Sequence, residues 1–209
     1  MHTAVGIADA EGLDAVSMRR IARDMGMGTM SLYWYVENKD DLIDLMFDQL
    51  MGDQLLDESD FADWRTGLRA IAQHSRAVYE RHPWLINAMS GHRSTGPNMI
   101  RHVDQSLRVT DGLGLDLGQR VTMLNVIDDF VVGRLRRHAA EQEREAAGYG
   151  TSSDWLEASR PFIDKLIASE GLDHLGPMLD DVHEMNDVDL FTEGLEVVLN
   201  GLAATFHLE

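Results

Sequence analysis

The chain has 209 residues, 44% of them apolar, enough to bury a core in one large domain or in a small module joined to a larger one. Cysteine is absent, which excludes disulfides, thiolate metal sites and cysteine nucleophiles and fits a reducing compartment. A formal net charge of -18 sets 18 basic residues against 36 acidic ones, so the chain as a whole repels nucleic acid, and any DNA contact must come from a local basic face.

Four prolines and long stretches rich in Ala, Leu, Met, Arg and Glu favour helices over strands. No leader is visible and no apolar run approaches the roughly 18 residues of a membrane helix, so a cytoplasmic setting without membrane contact is expected. In chain order, residues 2–11 form a short helix that Gly12 ends. Ser17 opens a second helix that stops at Gly26, and residues 29–36 form a third. Asn38 caps a fourth with Leu42, Ile43, Leu45, Met46 and Leu50 at helical spacing. Asp60 caps a fifth, which the His82–Pro83 step ends, and a short segment follows from Trp84 to Met89.

Pro97 starts a helix that Gly112 closes. The longest helix runs from Leu117 to about Ala147 with a stripe of Val121, Leu124, Ile127, Val131 and Leu135, its second half polar and solvated. Residues 154–185 read as shorter helices broken near Pro161 and again from Gly171 to Pro177, and residues 187–206 as a final helix. No alternating strand stands out, so the fold class is all-α.

Residues 17–36 carry the chemistry. Met18, Ile21, Ala22 and Met25 recur on one helical face, while Arg19 and Arg23 share another. Gly26 permits the left-handed turn that ends a helix, and the next helix buries Leu32 and Val36. Two short helices around a glycine turn form a helix-turn-helix pattern, whose second helix enters the DNA major groove. Tyr33, Trp34 and Tyr35 fan over roughly 200° of that helix, so at least one ring faces outward. Arg19 and Arg20 after Ser17, and Lys39 after Asn38, oppose the helix dipole at two helix starts, an opposition that bound phosphates would relieve.

The run LDAVSMRRIARDMGMGTMSLYWYVENKDDLIDLM resembles the DNA-binding domain of the TetR family of one-component transcriptional regulators, and LYWYVENKDDL resembles its tetracycline repressor branch. The resemblance implies an N-terminal three-helix domain with a helix-turn-helix, residues 1–50, and a larger helical ligand-binding and dimerisation domain, residues 51–209. It implies a DNA-binding set headed by Ser17, in which Ser31, Tyr33, Tyr35 and Lys39 hold phosphates and Arg19, Thr29, Met30 and Trp34 lie at or near base edges. Trp34 is open to a second reading, packing against its own domain. Thr29 and Met30 replace more polar residues of the tetracycline repressor, so that operator does not transfer. With four basic against nine acidic residues in positions 1–50, affinity has to lean on hydroxyl and amide contacts.

The same resemblance implies a homodimer built from the helix at Leu117 and the last helix, where Gly194, Gly201, Ala203 and Ala204 let backbones approach. Met89 stands where the tetracycline repressor has a magnesium-binding histidine, so no metal and no cofactor is expected. Trp84, Met89, Met123, Ile127 and Phe130 suit an apolar or aromatic effector, with His74, Asn87, His92 or Asp128 as polar anchors; each also reads as core or surface. The expected function is a ligand-released repressor on a palindromic double-stranded DNA operator. Its alternative is an acidic helical module that binds a protein partner. An enzyme finds no support, because no His-Glu-x-x-His or paired Glu-x-x-His occurs and Gly112, Gly114 and Gly118 follow no strand.

Overall fold

The computed structural model describes residues 1–57, 61–88, 95–180 and 189–209, all helix, turn or loop. Helix α1 (His2–Glu11) buries Ala4, Val5, Ile7 and Ala8 and ends where the Gly12 amide bonds Ala8 O. A 3-10 turn at Leu13–Ala15 leads to α2 (Met18–Asp24), whose N-cap Ser17 accepts from the Arg20 amide at 3.2 Å. The end of α2 is set by Gly26 at φ 67°: its amide reaches Arg23 O, and the Met27 amide reaches back to Ala22 O.

Helix α3 is a single turn, Thr29–Leu32, shorter than the run to Val36 expected from periodicity. Tyr33, Trp34 and Tyr35 are 48%, 87% and 81% exposed, so tertiary burial does not offset the weak helix propensity of aromatic residues. The Val36 amide still bonds Leu32 O, and Val36 is buried while Leu32 is half-buried.

Helix α4 (Lys39–Gly52) begins at Asn38, whose Oδ1 accepts from the Asp41 amide, with Asp40 and Asp41 favourably placed in the first turn. It buries Leu42, Ile43, Met46, Phe47, Leu50 and Met51, each contributing roughly 1.5–3 kcal/mol before the entropy of ordering is subtracted. Helix α5 (Trp64–Arg81) is capped by Asp63 rather than by Asp60, which lies outside the described residues. After α6 (Trp84–Ala88) comes α7 (Pro97–Val109), with proline at its first position as read from the sequence.

Helix α8 (Leu117–Ala146) opens on a capping box of Asp116 and Gln119 and buries Met123, Ile127, Val131 and Leu135. Helix α9 (Ser152–Glu170) runs unbroken through Pro161, against the expected break. Thr151 and Asp154 form a capping box at its start, no α9 residue is buried, and Glu157, whose carbonyl loses its partner at Pro161, is exposed to water. Helix α10 (Leu175–Asp180) is tied back by Arg160, which bonds both Asp164 and Asp180.

Helix α11 (Leu190–Phe206) starts at Asp189; Asp187, the expected start, lies outside the described residues. Three residues of α5 grip it: Arg65 bonds Asn200, Arg69 pairs with Glu196 through two bonds, and Arg76 pairs with Asp189. Being half-exposed, such pairs are worth about 0–1 kcal/mol each and set register more than stability. Gly194 lets α11 approach α8, since a Cβ there would overlap the Phe130 ring; the small residue serves packing within the chain, while a Cβ on Gly201 would meet open space. One continuous core runs from α1 to α11.

Candidate DNA-reading head and ligand cavity

Helices α2 and α3 pack on each other, and part of the set read as DNA-binding meets between them. A groove between α2 and α3 is lined by Ser17, Arg19, Arg20, Arg23, Met27 and Thr29. Arg19 and Lys39 are exposed and have no ion-pair partner among the described residues. Met30 is 76% exposed, Ser31 is exposed, and Thr29 is half-buried. Trp34 stands free of its own domain, so the reading in which it packs inward does not hold.

Arg20 does something else. Its guanidinium makes two bonds to Glu11, at 2.8 and 2.6 Å, and a third to Asp24 at 2.8 Å. The bonds from Arg20 hold the Glu11 and Asp24 carboxyls below their ordinary pKa values, and Arg20 itself is raised by them. The charge that looked uncompensated at the start of α2 is therefore met inside the molecule at Arg20, while Arg19 has no partner among the described residues. Arg23 also touches Asp24, at 3.2 Å.

A cavity of about 250 Å³, open on one side, lies between α5, α7 and α8. Leu68, Ile71 and Ala72 form its α5 wall; Met99, Val103 and Leu107 come from α7; Leu124, Ile127 and Val131 come from α8. Its polar groups are Ser75, His102, Ser106, Asn125 and Asp128. Asp128 sits exposed at the rim, yet loss of surrounding water, with Asp129 adding to it, raises its carboxyl pKa.

The cavity and the head are joined through α4. Buried Asp48 accepts from the Asn98 and Met99 amides at 2.9 and 3.0 Å, capping the first turn of α7, and Asn98 Nδ2 returns a bond to Asp48 O. A Cβ on Gly96 would overlap that carboxylate, so glycine is the residue that fits. Farther along α7, buried Gln105 donates to Leu56 O at 2.7 Å and accepts from the Leu56 amide. The helix that supplies one cavity wall is thus fastened to the helix that carries the head and to the segment following it.

Two family models match: "Bacterial regulatory proteins, tetR family" over residues 1–46 and "Tetracyclin repressor-like, C-terminal domain" over residues 56–206. The chain belongs to the TetR family. Among its relatives, the HTH-type transcriptional repressor DrrR1 of Streptomyces coeruleorubidus is 36% identical over 97% of this chain and 75% of that protein. The class C tetracycline repressor of Escherichia coli is 26% identical over 97% of this chain and 88% of its own length. Among solved structures, the TetR-family protein ActR of Streptomyces coelicolor in complex with actinorhodin has a TM-score of 0.77 at 28% identity, covering 98% of this chain and 93% of that one. This TetR-family chain is a transcriptional regulator and not an enzyme, and no described helix is long and apolar enough to cross a membrane.

Of the pocket residues read from the regulator's sequence, the cavity brings together Ile127 and Asp128. Met123 is fully buried core, and Phe130 packs on Phe191 with ring centroids 5.5 Å apart. Trp84 Nε1 donates to Asp9, which also meets His82 Nδ1, so Trp84 fastens α6 to α1. His74 Nε2 bonds Asp53 O at 2.6 Å, on the α4–α5 connection. Met89 and His92 lie outside the described residues, as does the Asn87 side chain. The α7 wall was missed, although Met99, Val103 and Leu107 recur every four residues and mark an apolar stripe with His102 beside it.

Proposed function

We propose that this TetR-family regulator is a homodimeric repressor that leaves a palindromic operator when a small apolar or aromatic effector fills the α5–α7–α8 cavity. Residues 1–50 form the reading head, and residues 51–209 bind effector and partner copy. Ser31, Tyr33, Tyr35 and Lys39 hold phosphates beside Ser17, while Arg19, Thr29, Met30 and Trp34 face base edges. The observation that carries this reading is the exposure of Arg19, Lys39 and the Tyr33–Trp34–Tyr35 rings, with no internal partner for either cation among the described residues. The relative DrrR1, a transcriptional repressor, and actinorhodin held by ActR support the repressor and effector halves of it.

An effector that fits the cavity better at one setting of α7 shifts α4 through Asp48, and with it the spacing of the two heads. Selection from random duplex DNA at low salt tests the reading. The full chain should enrich an inverted repeat with half-site centres roughly 34 Å apart. Retention of no sequence would leave the acidic protein-interaction module as the surviving account.

A further inference from the structure

The polar lining of the cavity leans toward acceptors, with the Asn125 amide as the side chain besides His102 that can donate. Ser106 Oγ donates its proton to His102 O at 2.8 Å, and Ser75 Oγ donates to Gln54 Oε1 at 2.9 Å. Toward a guest both hydroxyls can then only accept. Asp128 adds a carboxylate, and among the described residues neither Lys nor Arg lines the space. His102 is the unspent group: neither ring nitrogen has a protein partner among the described residues, and since Nδ1 is shut off from any water-sized visitor, Nε2 is the nitrogen left to meet a guest. Burial, with His74 nearby, holds the imidazole pKa below its ordinary value, so the ring is neutral with one donor nitrogen and one acceptor.

We propose that His102 anchors the effector, a mainly apolar molecule carrying a hydroxyl that hydrogen-bonds the imidazole while its apolar body lies on the α5, α7 and α8 walls. This rests on reading the cavity as the effector site. A hydroxyl is the group that fits, because it donates to one imidazole tautomer and accepts from the other. It can also give its proton to Ser106, Ser75 or Asp128. A carboxylate or phosphate finds no cation among the described residues and meets Asp128. A bare hydrocarbon leaves the imidazole unsatisfied. The volume, just under the roughly 300 Å³ at which ligand pockets begin, suits a guest of about two fused rings.

Calorimetric titration of the full chain with 2-naphthol, naphthalene and 2-naphthoate tests this without identifying the natural effector. The wild type should bind 2-naphthol about tenfold more tightly than naphthalene and 2-naphthoate most weakly. His102→Phe should erase the preference for the hydroxyl while still binding naphthalene, and His102→Gln should restore part of it. In wild-type protein the His102 ring nitrogen resonances should move with 2-naphthol and not with naphthalene, a readout that stands even if a variant folds poorly. Equal affinity for 2-naphthol and naphthalene, a hydroxyl preference that survives in His102→Phe, tightest binding of 2-naphthoate, or rejection of all three overturns the proposal. Release of operator DNA is measured separately: the predicted preference without release supports the anchor and overturns the effector reading.

Discussion

Arg19 and Arg20 are chain neighbours at the start of α2, and the fold gives them opposite environments. Both line the groove, but Arg20 is bonded to Glu11 and Asp24, whereas Arg19 has no acidic partner among the described residues. Glu11 lies nine residues from Arg20, so its role depends on how α1 docks on α2, which local spacing does not reveal. The exposed rings at 33–35 were legible, because a helix that buries Leu32 and Val36 cannot also bury all three. Arg19→Ala should relax preference at one base pair of each half-site, by about 1–3 kcal/mol, in competition binding against single-position operator variants. Tyr33→Ala and Lys39→Ala should weaken binding to every sequence alike, with Lys39→Ala lowering the salt slope by about 1. If Arg19→Ala behaves as those two do, its base-reading role is wrong.

Helices α4 and α7 show how far a sequence pattern reaches at the scale of elements. Their starts were placed correctly, α4 by the Asn38 cap and its apolar stripe and α7 by Pro97 alone, yet their union through Asp48 was not visible, because it joins positions 50 residues apart. Cavity residues were lost for the same reason: α8 alone indicates Ile127, while Met99 and His102 count only once α7 is known to lie across it. Asp48→Ala leaves the Asn98 and Met99 amides without an acceptor, and denaturant unfolding should register a loss of about 1–3 kcal/mol. At the start of α11, Thr192 first and Arg76 second hold the Asp189 carboxyl down to about 2. Its folded pKa lies below the unfolded value of about 3.9, so its stabilising effect is complete above that value and fades as pH falls toward 2. The side chain is half-exposed and the effect correspondingly screened. Stability measured against pH should therefore fall less steeply in Asp189→Asn than in wild type across that acid window.

At the scale of the whole molecule, the acidic excess and the DNA-reading role are compatible because Arg19 and Lys39 stay exposed without an acidic partner among the described residues, while Glu11 and Asp24 are paired with Arg20. The outer face of α11 presents Val197, 71% exposed, together with exposed Gly201 and Ala204, an apolar stripe fit for a second copy. Val197→Glu should shift sedimentation from dimer to monomer and weaken operator binding without unfolding the chain. The all-helical plan and the helix-turn-helix were legible from caps and periodicity; α9 was misjudged at Pro161 because a surface helix without buried residues tolerates the lost bond that a packed one does not. The absence of cysteine allows one label per chain, at Asp14→Cys on the exposed turn before α2. The most direct measurement is the interprotomer distance between such spin labels on the selected operator. A single narrow distance on DNA, broader without it, is the predicted result. No interprotomer distance on DNA would contradict a dimer that sets two reading heads in successive major grooves.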